Sequence, residues 1–305
     1  DIDIFVRFDK SYINDDISKI LEKLLAKAKK IHGSRDYFQQ KVDGTIIEII
    51  PTIKINKPED ATNITDLSYF HVKFILDKIR KNKKLKDEII LAKNFTHAQN
   101  LYGAESYIHG FSGYSLELLI CYYKSFHKFL KEIIKINPNK NKLVIDPAKH
   151  YKNAKYAVNS LNPSKTNSPI IIVDPTYKNR NALSSLSEES FYKFKEVSKS
   201  FLKKPSLKFF NIKKISKEFK DKNSIIITIK TNKQAGDVSG TKSRKFFNFF
   251  MYRLKKEFNI KKYGFEYIEN LNIAKFYLLL NNKKPTILKG PSINSQINFS
   301  NFKNV

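Results

Sequence analysis

The sequence predicts an α+β protein in which a small sheet precedes a mainly helical middle section. Three observations support this prediction. Apolar and polar residues alternate over residues 1–8, and two further apolar runs flank the turn dipeptide Asp43-Gly44. Apolar residues then recur at helical spacing through most of residues 70–136. A period of two residues indicates strands and a spacing of three or four indicates helices, so both kinds of element are expected.

The first fifty residues predict a strand, a helix and a hairpin. After the alternating strand, residues 14–16 are typical of a helix N-cap, and apolar residues follow at helical spacing to about His32. Tyr37–Val42 and Thr45–Ile50 form the two strands of the hairpin around Asp43-Gly44, because this dipeptide favours a tight turn.

Helical and strand patterns alternate along the rest of the chain. In the middle section we expect helices at Phe70–Ile79, Glu88–Asn100 and Ser115–Ile136, strands at Leu143–Pro147 and Ile170–Pro175, and a helix at Ser187–Phe201. After Pro205 we expect a helix at Ile212–Phe219, a strand at Ser224–Thr231, a helix at Thr241–Phe258, and strands at Tyr263–Glu269 and Ala274–Leu280. The last set resembles an incomplete ferredoxin-like unit, and we expect the chain to be truncated at both ends.

Positive charge dominates the composition. The 305 residues include 57 Lys and Arg against 29 Asp and Glu, a net charge of +28 at pH 7. Such an excess points to a polyanionic partner, above all a nucleic acid; the alternative is a lysine-rich bias that only solubilises the surface. The hydrophobic fraction of 41% suffices for ordinary cores. The length suggests two or three domains.

Several classes of protein are excluded by the sequence. Cys121 is the one cysteine and lies in an apolar run, so there is no disulfide framework and the thiol is expected to be buried. No apolar stretch reaches the roughly 18 residues of a membrane-spanning helix, and no signal-peptide pattern is present. Residues 110–113 match neither a nucleophile elbow nor a P-loop. We therefore expect a cytoplasmic protein without a membrane partner.

Three carboxylates predict a divalent-metal site. Asp1 and Asp3 share one face of the first strand, and Glu48 interrupts the apolar run of the second hairpin strand. An ionised carboxylate among isoleucines is costly unless a cation or hydrogen bonds meet it. Two carboxylates on one strand with a third on a neighbour suit a pair of Mg²⁺ ions roughly 3.5–4 Å apart. The alternative is a solvated strand face with Glu48 paired to a lysine.

A set of motifs occurs together in a fixed order. It comprises Asp1-Ile2-Asp3-Ile4-Phe5, residues 44–51, Asp66-Leu67-Ser68-Tyr69-Phe70-His71, Tyr102-Gly103-Ala104-Glu105, residues 110–114 with Glu117-Leu118-Leu119, and Val173-Asp174-Pro175 with Arg180-Asn181. In this order and spacing, the set resembles the archaeal-type (class I) CCA-adding enzymes, which are tRNA nucleotidyltransferases of the DNA polymerase beta superfamily.

The resemblance implies three domains. Residues 1–82 would form a polymerase-beta-like catalytic domain lacking its N-terminal part, and residues 83–203 a mainly helical domain that binds nucleotide and tRNA. Residues 204–305 would form a ferredoxin-like (RRM-like) tRNA-binding domain lacking its C-terminal part.

The resemblance also implies roles for individual residues. The catalytic and metal-binding carboxylates would be Asp1, Asp3 and Glu48, holding two Mg²⁺ ions. The residues that contact the nucleotide would be Ser68, His71, Lys93 and Tyr102 at the triphosphate and Arg180 at the base. The basic residues that grip the tRNA acceptor stem would include Lys213, Lys214, Arg244 and Lys245. Tyr114 is assigned a packing role.

By the resemblance, the protein adds C, C and A to the tRNA 3′ end from CTP and ATP, releasing pyrophosphate, and a homodimer is compatible with it. The alternatives are another nucleotidyltransferase of the superfamily, such as a poly(A) polymerase or an oligoadenylate synthase, and a non-catalytic RNA-binding module. Three departures from the family pattern stand out: the sequence starts too late to show the Gly-Ser motif that the family places upstream of the first acids, Glu48 replaces the usual aspartate, and His109 replaces an expected arginine.

Overall fold

The computed structural model describes residues 2–220, 223–232, 237–282 and 294–295. The chain divides into two compact units, one comprising Asp1–Lys214 with Thr231–Ser243 and the other Ile215–Lys230 with Arg244–Val305. Within the described ranges, no helix is long and apolar enough to cross a bilayer.

A four-stranded sheet opens the first unit. Its elements in chain order are strand β1 (Ile2–Phe8), helix α1 (Ile17–Leu24), and strands β2 (Lys29–Ile31), β3 (Tyr37–Val42) and β4 (Thr45–Ile53). The strands lie in the order β1-β4-β3-β2, with β1 parallel to β4 and the other neighbours antiparallel. The predicted hairpin is confirmed, with Asp43 and Gly44 at φ 47° and 82°, the left-handed conformation of a tight turn.

The helix predicted to reach His32 is too long. Asp16 caps α1 as expected, its side chain accepting from the Lys19 N–H at 3.1 Å, but the helix ends at Leu24. The apolar spacing stops at Leu25, and residues 29–31 instead pair with β3. Without an apolar face, a longer helix would gain no stability from packing. Pairing with β3 instead satisfies the backbone N–H and C=O groups of residues 29–31.

A buried ion pair ties the first sheet to the segment that follows it. Asp66 is 2% exposed and accepts hydrogen bonds from the Arg35 guanidinium, from the Ile53 N–H at 2.8 Å and from the Asn63 N–H at 3.0 Å. The Arg35 guanidinium also donates to the Thr65 hydroxyl at 3.0 Å. Burial would raise the pKa of Asp66, but the bonds from Arg35 and the Ile53 N–H hold it below its usual value.

The middle of the chain is mainly helical, as predicted. Its elements are helices α2 (Ser68–Lys81), α3 (Lys84–Ala98), α4 (Gly113–Tyr123) and α5 (Phe126–Ile133), strand β5 (Leu143–Ile145), helix α6 (Ala154–Ser160), strand β6 (Ile170–Ile172) and helix α7 (Glu188–Lys203). One large core includes side chains from α2, α3, α4, α5 and α7. Strands β5 and β6 pair in parallel. Cys121 is buried in this core, which confirms the expected structural thiol.

The single helix predicted over residues 115–136 is two helices. Lys124 adopts a left-handed conformation with φ 68° and ends α4, and the Ser125 hydroxyl accepts from the Lys128 N–H at 3.2 Å to begin α5. The Glu88 carboxylate accepts from the Phe126 N–H at 2.6 Å. A serine N-cap inside an apolar pattern was the signal for this break. Helix α6 was not predicted at all.

The second unit contains three strands and part of a helix. Strand β7 (Ser224–Lys230), helix α8 (Val238–Glu257), strand β8 (Phe258–Ile268) and strand β9 (Ile273–Asn282) follow in chain order, and the sheet order is β7-β9-β8, all antiparallel. Phe247 and Met251 of α8 pack with Phe276 and Leu278 of β9. The helix predicted at Ile212–Phe219 is only a short 3-10 turn at Ile215–Glu218.

Candidate active site

Strand pairing brings two of the three predicted metal ligands together. Asp3 on β1 and Glu48 on β4 are register partners in parallel strands, so their side chains project from the same face of the sheet. Gln39 on β3 is the register partner of Glu48 on its other side, and its Nε2 donates to Glu48 Oε1 at 2.6 Å. In the described part of the chain, the Glu48 carboxylate is therefore met by a hydrogen bond from the Gln39 amide and not by a cation.

Asp1 lies outside the described residues. Among those that are described, no group of three or more His, Cys, Asp or Glu is placed to hold a metal. Asp3 is exposed and Glu48 is half-buried. The opposite, apolar face of β1 is also open, with Ile2 54% and Ile4 45% exposed. Two carboxylates at adjacent register positions are oxygen donors of the kind that Mg²⁺ prefers.

Lys93 and Tyr102 converge at the first residue of α4. A Cβ built on Gly113 would lie 2.8 Å from the Tyr102 hydroxyl and 3.7 Å from Lys93 Nζ, so the missing side chain leaves room between these two groups. Lys93 Nζ also donates to Glu117 Oε1 at 2.6 Å, one helical turn further along α4. A lysine charge, a phenolic hydroxyl and a helix N-terminus together form a surface suited to phosphate oxygens.

His71 and Arg180 meet at a buried carboxylate. Asp174 is 0% exposed; its Oδ2 accepts from Arg180 Nη1 at 2.8 Å and lies 3.0 Å from His71 Nε2. The backbone reinforces this arrangement, because the Asp174 N–H donates to the Arg180 carbonyl at 2.9 Å. His71 and Arg180, more than a hundred residues apart in sequence, are therefore neighbours.

The other carboxylate oxygen binds the surrounding structure. Asp174 Oδ1 accepts from the Tyr114 hydroxyl at 3.1 Å, from the Thr176 N–H at 2.9 Å and from the Thr176 hydroxyl at 2.8 Å. The Tyr114 ring stacks on the His71 imidazole with centroids 4.1 Å apart, and the Arg180 guanidinium lies 5.7 Å from the same ring. Tyr114 therefore packs against both predicted nucleotide-binding residues.

The ionisation of this cluster is strongly biased. Burial alone would raise the pKa of Asp174, but His71, Arg180 and the Thr176 N–H outweigh burial and hold the pKa of that carboxyl well below its usual range. Burial raises the pKa of Tyr114 far above its ordinary value, and the neighbouring Asp174 carboxylate adds to this effect. These shifts favour the ionised form of Asp174 and the protonated, hydrogen-bond-donating form of Tyr114.

The remaining predicted residues are more dispersed. Ser68 begins α2, one turn before His71, and is half-buried. His109, at the position where arginine was expected, has φ 52° and its carbonyl accepts from the Ser187 N–H at 3.0 Å.

The basic residues predicted to bind tRNA fall in both units. Lys213 and Lys214 lie in the first unit and are exposed, whereas Arg244 and Lys245 lie in the second. Arg244 packs its guanidinium 5.3 Å from the Phe265 ring, while Lys245 is exposed.

Two residues central to this geometry were not predicted as part of the site. Asp174 entered only as part of a motif, and Tyr114 was assigned a packing role. The signal for Asp174 was a carboxylate directly after the apolar run at residues 170–173, because a buried charge requires partners. Glu117, the partner of Lys93, offered no comparable signal.

Known proteins support a family assignment. Residues 87–211 match the family described as tRNA nucleotidyltransferase, second domain. A CCA-adding enzyme of Nanoarchaeum equitans is 45% identical over 195 residues, covering 63% of this chain and 48% of that protein. A CCA-adding enzyme of Methanocaldococcus jannaschii is 38% identical over 218 residues, covering 69% of this chain and 47% of that protein. The chain thus spans about half the length of these curated relatives.

The fold has a solved counterpart. The crystal structure of the Cid1 poly(U) polymerase matches with a TM-score of 0.51 at 14% sequence identity, covering 69% of this chain and 80% of that chain. Identity this low supports the fold alone, a mixed α+β arrangement. The sequence matches confirm the resemblance indicated by the motifs: the chain is similar to the archaeal CCA-adding enzymes, and the family match lies in its mainly helical middle section.

Proposed function

We propose that this protein is a nucleotidyltransferase that adds C, C and A to the 3′ end of tRNA from CTP and ATP, releasing pyrophosphate. The observation that carries the proposal is the gathering of Lys93, Tyr102, His71 and Arg180 around the first turn of α4. Relatives named CCA-adding enzymes give the proposal its tRNA substrate.

The carboxylates would act at the reacting oxygens. Asp3 and Glu48, with Asp1, would hold two Mg²⁺ ions, which when bound stabilise charge on the attacking and leaving oxygens of phosphoryl transfer. The register pairing of Asp3 with Glu48 fits this role. The Gln39 amide fixes one oxygen of Glu48 and leaves the other for a ligand. This bond orients the longer side chain that stands where aspartate is usual.

The first turn of α4 would hold the nucleotide. Lys93 and Tyr102 would bind triphosphate oxygens, and Ser68 and His71 would contribute further donors from α2. The Arg180 guanidinium would meet the base, because its planar set of donors matches the acceptors of a base edge. Glu117 would neutralise Lys93 when no phosphate is present and release it when phosphate arrives.

The second unit would bind tRNA. The order β7-β9-β8 with α8 between β7 and β8 is that expected for the first four elements of a ferredoxin-like domain, and this supports the proposed third domain from residue 204. Arg244 and Lys245 of this unit would contact phosphates of the acceptor stem, as would Lys213 and Lys214 of the first unit. We likewise predict domain limits at residues 82 and 203, a homodimer and a cytoplasmic location.

The proposal is tested by supplying a tRNA transcript that lacks its CCA end together with single nucleotides. We expect addition of C from CTP alone, and of A only after two C residues are in place. Extension with ATP alone would favour a poly(A) polymerase-like enzyme instead. Tight tRNA binding with no incorporation from any nucleotide would favour a non-catalytic RNA-binding module.

Replacing Lys93 with alanine is expected to weaken nucleotide binding by roughly tenfold or more, since a charge-assisted hydrogen bond contributes about 1.5–3 kcal/mol. Displacement of a fluorescent ATP analogue by CTP or ATP measures the change. Lys86→Ala is the matched control, because Lys86 is an exposed lysine of the same helix. Equal nucleotide affinities of the two variants would show that Lys93 does not bind the triphosphate.

A further inference from the structure

Asp174 divides its two oxygens between different tasks. Oδ1 receives three hydrogen bonds, from Tyr114 and Thr176, which fasten the carboxylate to α4 and to its own loop. Oδ2 receives Arg180 Nη1 at 2.8 Å and faces His71 Nε2 at 3.0 Å. One oxygen therefore belongs to the scaffold and the other to the residues that would touch a nucleotide.

Arg180 depends on this carboxylate for its direction. A free arginine side chain has many rotamers, and ordering it costs up to about 2 kcal/mol of entropy. Here the side chain is 26% exposed and is held by Asp174 through one of its five N–H donors, which leaves others for a ligand. The Tyr114 ring flanks the guanidinium and stacks on His71, so one residue in the first turn of α4 contacts both groups.

We propose that Asp174 is a positioning residue for nucleotide selection: its Oδ2 fixes Arg180, beside the His71 imidazole, so that the base of the incoming nucleotide meets the guanidinium in one orientation. The inference rests on the proposed function. It gives a buried carboxylate, which touches no substrate itself, a role in selecting C and A over U and G. Loss of that orientation lowers discrimination more than it lowers binding, because the triphosphate contacts of Lys93 and Tyr102 do not involve Asp174.

Asp174→Asn separates the two tasks. The three donors around Oδ1 require the remaining amide oxygen on that side, so the amide NH₂ must face Arg180. A donor then opposes a donor, and the bond that orients the guanidinium is lost while the scaffold bonds are retained. Thr176→Val is the matched control, because it removes one hydroxyl bond to Oδ1 and leaves the Oδ2 side unchanged.

Three measurements on each protein test the inference: the melting temperature, the affinities for CTP, ATP, UTP and GTP from displacement of a fluorescent ATP analogue, and single-nucleotide incorporation into a tRNA transcript ending before CCA. For Asp174→Asn we expect the preference for CTP over UTP to fall roughly tenfold or more, since one base contact typically contributes discrimination of this order. For Thr176→Val we expect a lower melting temperature and an unchanged preference.

The outcomes separate the inference from the proposed function. If Asp174→Asn binds nucleotides with the same preference as the unsubstituted protein, Asp174 is structural only and the inference is overturned. If the unsubstituted protein neither binds nor incorporates any nucleotide, the proposed function fails first. Should Asp174→Asn not fold, Asp174→Glu keeps the charge but displaces the carboxylate oxygens by about one bond, so that the orientation of the Arg180 guanidinium changes. A folded Asp174→Glu protein with normal preference would equally overturn the inference, and a reduced preference supports it.

Discussion

Nucleotide incorporation by the Asp3→Asn variant is expected to fall at least 100-fold, with little change in the melting temperature. Asp3 is exposed, and its side chain makes no hydrogen bond or ion pair with the described part of the chain, whereas a bound metal contributes several kcal/mol of transition-state stabilisation. Each 1.36 kcal/mol is about tenfold in rate. Asparagine keeps the size of the side chain and removes the negative charge, so the effect reports on metal binding and not on packing.

A second measurement and a control variant make the Asp3 prediction specific. Binding of Mn²⁺ in the presence of ATP, followed by electron paramagnetic resonance, should weaken in parallel with the rate. Asp9→Asn serves as the control, because Asp9 is another exposed carboxylate near β1 whose capping bond to the Ser11 N–H at 3.1 Å asparagine can replace. Full incorporation by Asp3→Asn would refute the metal assignment, whatever the state of Asp1 and Glu48.

Replacing Asp66 with alanine is expected to lower the free energy of unfolding by about 3–5 kcal/mol, because it leaves the buried Arg35 guanidinium without a counter-charge. The Ile53 and Asn63 N–H groups lose their acceptor at the same time. Against a typical stability of about 5–15 kcal/mol, the loss is a large fraction. Urea unfolding followed by circular dichroism measures it.

The control for Asp66 is an ion pair in solvent. Asp77 and Arg80 pair at 3.1 Å on α2, with side chains 48% and 75% exposed, so Asp77→Ala should cost less than about 1 kcal/mol. A double variant, Arg35→Met with Asp66→Leu, should recover only part of the stability, since the two backbone N–H groups still lack an acceptor. Equal effects of Asp66→Ala and Asp77→Ala would show that the buried pair contributes no more than a surface pair.

The same pair predicts an acid dependence of stability. The folded-state pKa of Asp66 is lower than its unfolded value, so its contribution is complete above the unfolded pKa of about 3.9. The contribution is lost as pH falls through the lower folded pKa. Stability measured between pH 6 and pH 2 should therefore drop more steeply in the unsubstituted protein than in Asp66→Asn.

Elements with strong local signals were predicted well from the sequence. The hairpin at Asp43-Gly44 and the strands β7, β8 and β9 follow from turn chemistry and from apolar runs. The errors arose where the apolar pattern in the sequence continued beyond the residue at which the helix ends. Lys124 and Ser125 divide one apolar pattern into two helices, and residues 29–31 gain more from pairing with β3 than from extending α1.

The contacts within the candidate site were not predicted from the sequence, and the roles of its residues stay predictions. Lys93, His71 and Arg180 came from motifs. The sequence placed Asp3 and Glu48 on neighbouring strands, but the parallel pairing that makes them register partners came from the structure. The role of Asp174 as a shared partner depends on contacts between segments far apart in sequence, which no local pattern encodes. For the same reason the Lys93–Glu117 pair could be found only in three dimensions.

The start of α4 has a consequence for chain length. Gly113 faces Lys93 and Tyr102, while the next residue, Tyr114, faces His71 and Asp174. Successive residues of a helix point about 100° apart, and buried side chains such as Leu116 hold α4 in the core, so one residue inserted between Gly113 and Tyr114 would turn Gly113 away from Lys93 and Tyr102. Surface loops commonly tolerate such changes. The first turn of α4 should not, and a variant with one residue added there should lose the close approach of the Tyr102 hydroxyl and the Lys93 ammonium to Gly113.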